Sequence, residues 1–214
     1  MKIRYQASRV QLALMLSVST LVGTGSVLTA QPPGRPASVE ASSLASTMDA
    51  QLGMVEREVV GAAEAMPEDK YSFAPAGANF TGVRTFALEV RHLATSNYVL
   101  YSAILGQKPP PGVNVDGAAN GPDDLRTKQQ IVEYLKGSFA LGHKGMASLN
   151  DENGLQRLQE LPIAIPFLNS RLALAIFSFS HASDHYGQMV EYLRMNGINP
   201  PASAGQPPAN PTGK

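Results

Sequence analysis

The chain has 214 residues, with 17 basic and 17 acidic side chains, 16 Pro, 19 Gly and neither Cys nor Trp. That length suits one ordinary domain with short appendages. The even charge excludes the basic face that nucleic acid demands, and the absence of Cys excludes disulfide frameworks, thiolate nucleophiles and Cys-ligated zinc or iron–sulfur centres.

Lys2, Arg4 and Arg9 open the chain, no acid precedes Glu40, and Val10 to Ala30 runs uncharged through Leu12-Ala13-Leu14-Met15-Leu16. A basic start, an apolar stretch and small residues before Gln31 describe a signal peptide over residues 1–30. The competing reading is an uncleaved anchor, since about 20 apolar residues span a bilayer. Gly23, Gly25 and the interspersed Ser and Thr favour the signal. The expectation is an exported protein, periplasmic or extracellular, and membrane-anchored if the signal is retained. Loss of three cations leaves the remainder mildly acidic. Residues 31–41 read as a disordered Pro-rich segment, and 202–214 as a disordered Pro-rich tail.

Proline maps the rest, because it is costly inside helices and central strands. Four Pro-free windows, 38–66, 76–108, 123–161 and 167–199, are each long enough for a helix of five or more turns. In the first, Leu44, Met48, Leu52, Val55, Val59, Ala62 and Met66 recur at spacings of three and four. The second carries Val83, Phe86, Val90, Leu93, Asn97, Leu100 and Ile104, and the third Val132, Leu135, Phe139, Gly142, Met146 and Leu149. These are the stripes of core-facing helices. Pro122-Asp123-Asp124 reads as the third helix's start. The fourth segment, Leu168 to Met195, is apolar almost all round, as befits a helix buried on two sides or facing a partner subunit. Asn196-Gly197 supplies a left-handed stop before Pro200-Pro201. No segment alternates with period two. Residues 107–121 and 150–167 read as loops, the latter holding a short helical turn. The fold class is all-α: a four-helix bundle over 42–201, its up-down helices joined by long loops.

Four histidines carry the chemistry: His92, His143, His181 and His185. His181 and His185, four apart on a helix, share one face about a turn apart, close enough to chelate one divalent ion. Leu174, Phe177, Gln188 and Tyr192 lie on that face. His92, flanked by Leu88, Glu89, Ser96, Val99 and Ala103, is the natural third ligand. Three neutral imidazoles leave coordination positions open, the arrangement of catalytic rather than structural sites. Glu89, Asp184 and Tyr192 are candidates to orient the ligands or move protons. His143 reads as a core-edge or surface histidine.

The string from His185-Tyr186-Gly187-Gln188-Met189 to Asn196-Gly197-Ile198, extended back through His181, resembles the last-helix signature of the DinB-like (DinB/YfiT-like) family of metalloenzymes. Met66-Pro67-Glu68-Asp69-Lys70-Tyr71-Ser72-Phe73-Ala74-Pro75 is similar to that family's linker after helix one, and Phe86 to Tyr98 to its second helix. The resemblance implies a four-helix bundle holding a divalent metal, nickel or zinc, through His92, His181 and His185. It further implies activities such as thiol transfer with low-molecular-weight thiols or isomerisation of maleylpyruvate. The resulting expectation is an exported metal-dependent hydrolase or transferase acting on a small-molecule substrate, with a homodimer formed through the bundle helices. The alternatives are a non-catalytic metal- or small-molecule-binding bundle and a helical dimerisation module.

Overall fold

In the computed structural model, which describes residues 42–113, 119–160 and 165–205, one α-helix falls in each Pro-free window. They are α1 (Leu44–Ala65), α2 (Phe86–Ile104), α3 (Lys128–Ala147) and α4 (Arg171–Met195). The signal segment 1–30, the Pro-rich segment 31–41 and the end of the tail from 206 lie outside the described residues. Among those described there is no strand, only an isolated antiparallel bridge between Arg157 and Ser170. No described helix is long and apolar enough to cross a membrane.

Each helix begins at a hydroxyl that accepts a backbone N–H otherwise left without a partner. Ser43 accepts from Ser46, Thr85 from Leu88, Thr127 from Gln130 and Ser170 from Ala173. At Thr127 the bond is reciprocal, since Gln130 Oε1 accepts the Thr127 N–H at 3.0 Å, forming a capping box. That box corrects the expected start of α3. Pro122-Asp123-Asp124 lies in the preceding turn, and Asp123 instead pairs with Arg91 at 3.0 Å. Two other boundaries also differ from the periodicity. Val83, 40% exposed, precedes α2, and Leu168 is buried ahead of the Ser170 cap. The stop at Asn196-Gly197 holds. Gly197 adopts φ +73°, its N–H reaches Arg194 O, and Ile198 N–H reaches back to Leu193 O, which together make a Schellman motif. The short helical turn expected in 150–167 is a single α-turn, closed by Gly154 N–H on Asn150 O.

α1 and α2 each pack against both α3 and α4. Lys136 pairs with Glu64, and His143 with Asp49, so α1 and α3 run antiparallel. Asn97 Nδ2 donates to Ser138 Oγ, and Gly145 sits beside Ile104, so α2 and α3 run parallel. Glu89 meets His185 while Arg171 Nε donates to Ile104 O, so α2 and α4 are antiparallel. The order is up, down, down, up. A parallel α2–α3 pair obliges the chain between them to return along the bundle, which is what the long, Pro-rich second connection is for.

The stripes form the core. Leu52, Val59, Phe86, Leu93, Tyr101, Ile104, Leu135, Phe139, Leu174 and Met189 are closed to solvent, and each fully buried apolar side chain contributes about 1.5–3 kcal/mol. α4 is covered on the sides facing α1 and α2, while Ile176, 56% exposed, points outward. Gly142 occupies a stripe position because Tyr101 crosses there. A Cβ at residue 142 would lie 2.6 Å from Tyr101 Cε2 and 2.9 Å from Leu52 Cδ2.

Candidate metal centre

The antiparallel α2–α4 pair brings His92, His181 and His185 together. One donor atom from each lies within 4.8 Å of the others. The ring centroids are 4.4 Å apart for His181/His185, 4.8 Å for His92/His185 and 5.5 Å for His92/His181. Nε2 of His181 and Nε2 of His185 face each other at 3.1 Å. Two imidazole nitrogens on one tetrahedral ion, each about 2.0–2.1 Å from it, stand roughly 3.3 Å apart. The pair is therefore spaced as ligands of one ion are.

The surroundings prepare these nitrogens. His185 donates Nδ1–H to the buried Glu89 carboxylate, which leaves the Nε2 lone pair directed at the other rings. His92 Nδ1 lies 3.1 Å from Ala119 O. Ala119 is the one non-glycine residue among those described with positive φ, +48°, a conformation costing about 1 kcal/mol or more, and its carbonyl meets an imidazole at the site. The next turn is also tight, since a Cβ on Gly121 would stand 2.7 Å from Thr95 Oγ1. His181, desolvated and close to His185, His92 and Arg84, is pushed down to about 3 and stays neutral near pH 7. Its Nδ1 is buried with no partner among the described residues. Three imidazoles with one donor atom each within 4.8 Å of the others, two of them at ligand spacing and His181 kept neutral by its burial, fit a divalent cation.

The other residues singled out from sequence divide. Glu89 touches His185 directly. Tyr192 packs on Phe73 and Phe86 and donates its hydroxyl to Arg84 O at 3.0 Å. Asp184 is exposed and accepts from Gln188 Nε2 at 3.2 Å, so Gln188 also faces outward. Phe177 lies against His181, its ring centroid 5.7 Å away. His143 is at the α1–α3 seam, its Nδ1 2.6 Å from Asp49 and its Nε2 3.0 Å from Glu56.

Sequence reasoning missed Arg84, Ala119 and Asn120. Arg84 Nη2 lies 3.2 Å from His92 Nδ1, its Nη1 4.0 Å from Glu89 Oε2, and its Nε donates to Asn120 Oδ1 at 2.8 Å. Arg84 directly precedes the Thr85 cap, eight residues before His92, and that proximity was the available signal. Ala119 and Asn120 arrive from a connection whose path no local pattern discloses.

The DinB superfamily model matches residues 51–189, well over half of the chain and inclusive of all three histidines. The chain belongs to the DinB superfamily. The crystal structure of a conserved protein from Enterococcus faecalis is similar in fold, with a TM-score of 0.55 and 16% identity over 72% of this chain and 98% of the other. No curated protein matches the chain significantly.

Proposed function

We propose that this DinB protein is exported and acts as a metal-dependent hydrolase or transferase on a small molecule, with nickel or zinc held by His92, His181 and His185. The observation that carries the reading is the 3.1 Å approach of the His181 and His185 Nε2 atoms, the His185 ring being aimed by the buried Glu89 carboxylate. A divalent ion on three neutral ligands supplies Lewis acidity with coordination positions to spare. The protein's own part is positional. Glu89 holds His185, the Ala119 carbonyl stands against His92, and Phe177 walls His181. The basic, apolar N-terminus supports export.

The test is turnover of activated esters and of thiol acceptors by the zinc-reconstituted chain. Activity should vanish on chelation and in His185→Gln. Stoichiometric metal with no turnover of either class would favour the runner-up, a non-catalytic metal- or small-molecule-binding bundle.

A further inference from the structure

We propose that a cleft at the C-terminal end of α2 is a second ligand site, separate from the imidazoles, and that it takes a small amphipathic anion, an apolar body carrying one oxyanion head.

Three pieces of chain build the cleft. The last turns of α2 supply Val99 and Ala103, and Gly106, at φ +70°, turns the chain so that Lys108 and Pro109 join the lining. Opposite them, residues 156–160 are held in place by Leu158 N–H on Asn169 O at 2.8 Å and by the bridge between Arg157 and Ser170. Arg171, the first residue of α4, completes the wall. The volume is about 690 Å³, inside the range of about 300–1,000 Å³ typical of pockets for small organic ligands. Val99 and Ala103 follow His92 on α2 by about 10 and 16 Å along the helix axis. The cleft is a place of its own.

Its charge and its surface name the ligand. Lys108, Arg157 and Arg171 all line it. Among the described residues the side chains of Lys108 and Arg157 have no hydrogen bond or ion pair, and Glu160, in the same lining, forms no ion pair with any of the three. Leu161-Pro162-Ile163-Ala164, which continue from this wall and lie outside the described residues, bring no ionisable group. Arg171 is oriented in advance. Its Nε donates to Ile104 O at 2.9 Å and its Nη1 to Gln156 Oε1 at 3.4 Å, while Nη2 has no partner among the described residues. A Cβ on residue 106 would stand 3.9 Å from that Nη2, so glycine keeps the approach open. Cations sharing one concavity repel each other, and its walls focus their field. An oxyanion relieves that repulsion and meets a guanidinium fork already in position. Val99, Ala103, Pro109 and Leu158 add apolar surface that a bare inorganic ion cannot cover, which is why the head needs an apolar body.

The experiment titrates the full chain with anilinonaphthalene sulfonate, whose fluorescence rises on leaving water, and with phenylnaphthylamine, the same rings without the sulfonate. The wild type should bind about one sulfonate probe per chain, about tenfold or more tighter than the neutral one, the worth of a charge-assisted hydrogen bond. The double variant Lys108→Gln/Arg157→Gln should weaken the sulfonate probe about tenfold and leave the neutral probe, the helical spectrum and the melting temperature unchanged. Arg171→Gln should lose at least as much. If it fails to fold once Ile104 O loses its donor, the double variant decides. Replacing His92, His181 and His185 by Gln should leave probe binding at its wild-type strength, which separates this site from the metal reading. The proposal is overturned by equal affinity for the two probes, by wild-type affinity in the double variant or in folded Arg171→Gln, or by loss of the probe with the histidines. A wild-type chain that binds no sulfonate probe overturns it as well.

Discussion

Glu89, 1% exposed, accepts the Nδ1–H of His185, 7% exposed, across the α2–α4 interface. A carboxylate this buried is stable only with partners, and here the partner is an imidazole whose other nitrogen faces His181. Removing its charge at constant shape, as Glu89→Gln, should weaken zinc affinity about 10–100-fold. Competition against a chromophoric chelator measures this, with circular dichroism expected to show unchanged helicity. Unaltered affinity would mean that the carboxylate only fills space.

His181 and His185 were legible because a four-residue spacing on a helix fixes a shared face whatever the tertiary structure, whereas His92, on another helix, entered as the natural third ligand and through the family resemblance. Glu89, three residues before His92, shares its face by helical spacing. Asp184 misleads by closeness in sequence: one position from His185 is about 100° around the helix, which turns it to solvent. The helix stripes were equally legible, Gly142 included, whereas the start of α3 was not. Proline followed by two acids fits a turn as well as a first helical turn, and the deciding signal was Thr127 with Gln130 three residues on. Ala119, Asn120 and the Arg84 contacts depend on how a long connection folds back over α2, which no periodicity encodes.

His143 should make stability depend on pH. Partial burial pulls its pKa down, but its hydrogen bonds to the Glu56 and Asp49 carboxylates and their negative charges outweigh that and raise it above 6.5. A pKa raised by folding stabilises the native state fully below the unfolded value and ceases to do so as pH rises through the folded value. The melting-temperature gap between wild type and His143→Gln should be widest near pH 6 and shrink toward about pH 9. A gap constant across that range would show that packing, not charge, is what His143 contributes.

Gly142→Ala should destabilise the bundle although alanine is the better helix former. Overpacking against Tyr101 and Leu52 costs about 1–3 kcal/mol, and helix propensity returns about 1 kcal/mol at most. Thermal unfolding should show a drop of a few degrees. A rise would mean that the Tyr101 ring shifts at no cost.

Thr127→Ala removes half of the capping box and should cost about 1 kcal/mol. Urea titration reads this as a lower midpoint with unchanged slope.

The central claim is that His92, His181 and His185 hold one divalent ion, and elemental analysis tests it most directly. Protein purified without a metal-binding tag and dialysed against metal-free buffer should retain about one nickel or zinc ion per chain. A variant with all three histidines replaced by Gln should retain almost none while keeping its helical spectrum. A wild-type chain that carries no ion after exposure to both metals, or a triple variant that carries as much as wild type, would contradict the account.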